Sequence, residues 1–109
     1  MGDEGKWVRA ASAGDLAEGE MMAVALEGRS LALYHLDDGT WCASDNVCTH
    51  AFAQLTDGWL EGCIIECPLH SGRFDLRTGA GQGAPIEDDL PVYPVRVAGD
   101  DVLVQLPAG

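Results

Sequence analysis

Two short ligand pairs constrain this chain more than any other feature of its sequence. Cys48-Thr49-His50 has the form C-x-H, and Cys67-Pro68-Leu69-His70 has the form C-x-x-H. Sixteen residues, numbers 51 to 66, separate His50 from Cys67. Turn and strand signals flank each pair, so both are expected in loops at one end of a β structure, where they could close on a metal centre from two sides. Two thiolates and two imidazoles suit two kinds of centre. A structural zinc ion takes Cys₂His₂ tetrahedrally. A dinuclear iron cluster can take two Cys on one iron and two His on the other. The usual zinc-finger order pairs Cys with Cys and His with His, on a hairpin and a helix. Here each loop carries one of each and no helix follows, which fits a dinuclear centre better.

The rest of the sequence reads as β structure. Apolar stretches at residues 21–26 and 31–36 flank a turn at Glu27-Gly28-Arg29-Ser30, and Asp37-Asp38-Gly39-Thr40 is a stronger turn before a third strand at 41–43. Asp-Gly supplies the positive φ that tight hairpins need. Short strands are expected at 59–61, 63–66 and 73–76. A last hairpin turns at Gly99-Asp100, with Val102, Val104 and Leu106 on one face. Pro68 cannot donate to a ladder, so the second pair stays in a loop. The only helical candidate is the weak segment 12–20, with Ser12 as its N-cap. Trp41, Trp59, Phe74 and Tyr93 are expected in the core. Cys42 and Cys63 lie in apparent strands with no His beside them and read as small buried hydrophobes. His35 reads as an ordinary strand residue. Phe52 and Leu69 lie within the ligand loops, where they would either shield a centre or present an apolar docking patch.

At this point the chain resembles the Rieske family. The resemblance rests on the two pairs and their spacing, and extends to Asp45-Asn46-Val47, Asp57-Gly58-Trp59-Leu60-Glu61-Gly62, Gly72-Arg73-Phe74-Asp75, Thr78-Gly79, Ala84-Pro85 and Tyr93-Pro94-Val95. It covers roughly residues 6 to 106 and looks most like the small ferredoxin components of bacterial aromatic-ring-hydroxylating dioxygenases. It implies an all-β fold: a Rieske-type antiparallel β-sandwich, one domain over residues 1–109, with a small cluster-binding subdomain at about 45–85. Its two loops would hold one [2Fe–2S] cluster through Cys48, His50, Cys67 and His70. It further implies a carrier of single electrons from a flavin-dependent reductase to a terminal oxygenase. Respiratory members of the family carry an extra Cys in each loop and join them in a disulfide. The matching positions here are Ala53 and Leu69. Those members also place a Ser and a Tyr that hydrogen-bond the cluster region, where this chain has Gly72 and Phe74. Fewer hydrogen bonds to sulfur stabilise the reduced form less, so a potential near the low end of the Rieske range, about −150 mV, is expected.

Charge narrows the function classes. Six basic side chains stand against eighteen acidic ones, a formal net charge of −12. Nucleic acids and anionic membrane surfaces are disfavoured as partners, and basic protein surfaces are favoured. No apolar run approaches bilayer length and no leader follows Met1, so a cytoplasmic, soluble chain is expected. Four Cys in a reducing compartment favour metal binding over disulfides. About forty residues follow His70, and His35 is the only spare histidine, so a second catalytic iron site is not expected and the chain reads as a carrier, not an enzyme. A monomer suits that role. Two other readings stand beside it: a small subunit or redox sensor of another oxidoreductase, and a structural zinc module.

Overall fold

The computed structural model describes residues 5–47, 53–68, 72–82 and 89–107. Among these residues, ten strands form three antiparallel sheets. Strands β1 (Lys6–Ser12), β9 (Val95–Ala98) and β10 (Asp101–Leu106) make the first, in the order β1-β10-β9. The second contains β2 (Glu20–Leu26), β3 (Arg29–His35), β4 (Trp41–Asp45) and β8 (Val92–Tyr93), in the order β2-β3-β4-β8. The third contains β5 (Trp59–Glu61), β6 (Ile64–Glu66) and β7 (Arg73–Asp75), paired in sequence order. The all-β, antiparallel expectation is met.

Strand β3 explains the layering. Leu31, Ala32, Leu33 and Tyr34 are all fully buried. Because side chains alternate across a strand, Leu31 and Leu33 face one core while Ala32 and Tyr34 face another. The first core joins Leu31, Leu33 and Ala43 to Val102, Val104 and Leu106. The second joins Tyr34, Leu36 and Cys42 to Leu55, Ile65, Cys67, Phe74 and Leu90. An uninterrupted apolar run is what a strand buried on both faces requires. The central sheet is therefore packed on both sides, and the small third sheet sits over its second face.

The β2–β3 connection is a two-residue loop, Glu27-Gly28, with φ of 52° and 83°. Both residues adopt the left-handed region that a type I′ turn demands. Glycine meets that demand easily; Glu27 does so under strain.

Two sequence expectations are corrected, and three more are met only at the edge of a core. Segment 12–20 is not an α-helix but a single 3₁₀ turn, Ala13–Asp15. Ser12 does start it, its N–H held by the Asp15 carboxylate (3.0 Å) as at a helix N-terminus, but the chain turns extended at Leu16 (φ −140°, ψ 116°), whose side chain enters the first core, and Ala17 N–H goes to the Glu20 carboxylate (3.0 Å). Trp59 is 60% exposed. On β5 the inward position falls to Leu60, which packs against the second core, so Trp59 points outward. Trp41 and Tyr93 are half-buried at the edge of the first core, and Cys63 is half-buried against the second. Only Phe74, of the four aromatics, is fully enclosed. Strands β1 and β8 carried no sequence expectation.

Candidate metal centre

The roots of both ligand loops are tightly built. Strand β4 ends at Asp45, and Asn46 follows with no solvent exposure. Its backbone N–H donates to the Ser30 carbonyl (3.0 Å), and its carbonyl accepts from Leu55 N–H (2.7 Å). Its side-chain Oδ1 accepts from Thr56 N–H (3.0 Å), while Nδ2 donates to Thr56 Oγ1 (3.1 Å) and to Gln54 Oε1 (3.4 Å). A buried amide that spends both its donor and acceptor groups in this way fixes the chain on each side of it. The bridge between Val47 and Gln54 then closes the base of the first loop.

The second loop is the tip of the β6–β7 hairpin. Glu66 pairs with Arg73 in the ladder, their side chains form an ion pair at 3.1 Å, and Cys67 N–H donates to the Gly72 carbonyl (2.7 Å). Cys67 is fully buried, in the same core as Leu55, Ile65 and Phe74. Gly72, like Phe74, is buried and offers no hydroxyl.

One glycine brings the two roots together. A Cβ on Gly58 would lie 2.0 Å from the Glu66 carbonyl oxygen and 3.1 Å from Pro68 Cδ. The backbone that leaves the first loop through the 3₁₀ turn Leu55–Asp57 therefore runs directly against the backbone entering the second. Only glycine permits that approach.

Of the four expected ligands, Cys67 is placed as described. Cys48, His50 and His70 lie outside the described residues, as do Phe52 and Leu69. Cys48 follows Val47, the last described residue before the first loop, directly in sequence. Cys42 is buried, and that burial, reinforced by the Asp38 carboxylate, pushes its thiol up to about 11. It is thus a protonated core residue. His35 has a structural role: its ring stacks on Trp41 at 3.9 Å and Nδ1 lies 2.9 Å from the Leu16 carbonyl. Beside the first root, Tyr93 Oη donates to Asp45 Oδ1 (2.5 Å); burial and this carboxylate push the phenol up to about 12. Asn46 and Gly58 enter the sequence reading only as parts of the motifs that carry the family resemblance, with no role at the site. Each lies in a short motif whose meaning depends on a contact with a distant segment.

Three antiparallel sheets with two adjoining loop roots, the second carrying the fully buried Cys67, define the class of β protein to which comparison with known proteins then assigns a family. The chain belongs to the Rieske [2Fe-2S] domain family, whose profile matches residues 6–94. It is 45% identical over 101 residues to the ferredoxin component of the naphthalene 1,2-dioxygenase system of Pseudomonas putida, covering 93% of this chain and 96% of that one. Among solved structures, the Sphingomonas yanoikuyae B1 ferredoxin superposes with a TM-score of 0.86 at 39% identity, covering 94% of this chain and all of that one. A chain from a complex of reduced oxygenase and oxidized ferredoxin in carbazole 1,9a-dioxygenase superposes with a TM-score of 0.84 at 34% identity, covering 91% and 92%. The residues fit the family's cluster. The donor set has the required chemistry, the loop roots adjoin, and Cys67 is held out of water.

Proposed function

We propose that this ferredoxin holds its [2Fe–2S] cluster through Cys48, His50, Cys67 and His70 and carries single electrons from a flavin-dependent reductase to a terminal aromatic-ring-hydroxylating oxygenase. The observation that carries the reading is the junction at Gly58, which sets the backbone of one Cys/His loop against that of the other. When bound, a cluster of this type supplies one-electron chemistry at a potential raised above all-thiolate clusters by its imidazole ligands. Two ferric ions, two sulfides and two thiolates sum to zero charge, so added charge is easier to bear than in a four-thiolate cluster.

The chain's own residues supply the setting. Asn46 and the Val47–Gln54 bridge hold the first root, and the Glu66–Arg73 pair and the Cys67–Gly72 hydrogen bond hold the second. Leu55, Ile65 and Phe74 keep water from Cys67. A rigid site lowers the reorganisation that accompanies electron transfer. Catalysis on the aromatic substrate belongs to the partner, so the protein is a carrier and not an enzyme. We place it in the cytoplasm as a monomer that releases one partner before meeting the next. Among the described residues no helix is long and apolar enough to cross a membrane.

The test begins with the purified protein. Visible absorbance and a low-g electron resonance signal on reduction are expected, and Cys67→Ala should abolish both. A colourless protein with bound zinc would end the reading. Stopped-flow mixing of the reduced protein with the oxygenase of the naphthalene 1,2-dioxygenase system should bleach or restore the visible bands within seconds; no reoxidation above the rate in buffer would remove the proposed partner.

A further inference from the structure

Among the described residues, the outer face of the β5–β6–β7 sheet joins neither core, and it mixes apolar with acidic side chains. Pairing aligns Trp59 with Glu66 and Arg73, and Glu61 with Ile64 and Asp75. Residues directly opposite one another in a ladder share a face, so these six form one surface, while Leu60, Ile65 and Phe74 face the core. Trp59 is 60% exposed and borders a groove of about 350 Å³ shared with Leu60, Glu61, Ile64, Glu66 and Arg73. Three carboxylates accompany one guanidinium, and that guanidinium is tied to Glu66 at 3.1 Å. The face is thus an indole set in a negative field.

Its position matters as much as its chemistry. Trp59 follows Gly58, the residue that packs against Glu66 and Pro68, and Glu66 is followed by Cys67. The face therefore includes the strand ends, Glu66 and Arg73, from which the second ligand loop springs, and through Gly58 it adjoins the segment that leaves the first. Among the described residues the other exposed large apolar side chains are Val47, at the root of the first loop, and Val97, on the β9–β10 hairpin. Val97 provides an internal control.

We infer that this face, with Trp59 as its anchor, is the docking surface for the terminal oxygenase, which meets it with basic side chains around an apolar recess that receives the indole. The inference rests on the electron-carrier reading above, which supplies the oxygenase as the partner. Charge complementarity favours a basic partner for a chain of net charge −12. A single buried indole inside a charged rim is the pattern of a small interface dominated by one hot spot.

The experiment uses the cluster-loaded protein and the oxygenase component of the naphthalene 1,2-dioxygenase system, with the second-order rate of oxygenase reduction as readout at low salt. Trp59→Ala should slow it about tenfold or more, Trp59→Phe should recover most of the loss, and Glu61→Lys should slow it and flatten its salt dependence. Val97→Ala should leave it unchanged. Midpoint potential and visible spectrum should match wild type in every variant, which separates docking from damage to the centre. If Trp59→Ala loses its cluster, Trp59→Phe and Glu61→Lys carry the test. A Trp59→Ala rate within about twofold of wild type, with the cluster intact, overturns the inference. So does a loss confined to reduction by the reductase, or a self-association of wild type that Trp59→Ala abolishes. Failure of the wild-type protein to reduce the oxygenase at all would instead strike the carrier reading.

Discussion

Asn46 shows how much of a loop's geometry one side chain can carry. Truncating it to Ala leaves the half-buried Thr56 N–H without its acceptor and removes a fully buried amide. A lost buried partner of this kind costs about 1–3 kcal/mol. Asn46→Ala should therefore lower the unfolding free energy from urea titration by that amount and speed the loss of visible colour under chelator; an unchanged bleaching rate would show that the first loop does not depend on the clamp. Cys42 makes a second residue-scale prediction, in pH. Its ordinary value is 9.0, and burial pushes it up to about 11. Between those values the unfolded chain has released a proton that the folded chain still holds, so stability falls as pH rises through the window. Cys42→Ala should remove part of that slope in urea titrations run from pH 8 to pH 11, and identical slopes would refute the assignment.

At the scale of elements, the decisive contact lies between two turns. Gly58 ends the 3₁₀ turn Leu55–Asp57 and meets the carbonyl of Glu66 at the end of β6. Adding one methyl there must push the two loop roots apart. Gly58→Ala should cost about 1–3 kcal/mol, the range for overpacking, and should loosen the cluster more than an equally destabilising change such as Val104→Ala in the first core. Iron release measured against urea midpoint separates the two: equal release at equal stability would make Gly58 a packing residue only. The hairpin turns were legible in the sequence because Asp-Gly and Gly-Asp pairs act locally. Segment 12–20 was misread because the chain turns extended at Leu16 to bury that side chain in the first core, among strands distant in sequence.

For the whole molecule, charge governs encounters. With a net charge of −12, attraction to a basic partner should reach across tens of ångströms at low salt. The Debye length shrinks from about 30 Å at 0.01 M to about 8 Å at 0.15 M. The bimolecular rate with the oxygenase should accordingly fall several-fold over that range. A rate that is flat or rises with salt would mean that apolar contact, not charge, steers the approach.

The sequence by itself determined the ligand set as a candidate, the β class, most strand positions and the sign of the partner's charge. These follow from residue types at short fixed spacings, and from a sum over side chains that needs no coordinates. Family membership followed from the same motifs. Only the tertiary structure decided that β3 is buried on both faces, that the two loop roots touch at Gly58, that Asn46 ties the first root to Thr56, and that Trp59 faces outward. Each depends on a contact between segments far apart in the chain, or on which face of a short strand meets the core. A three-residue strand such as β5 carries too little alternation to reveal its inward face; the packing of Leu60 against the second core settles it.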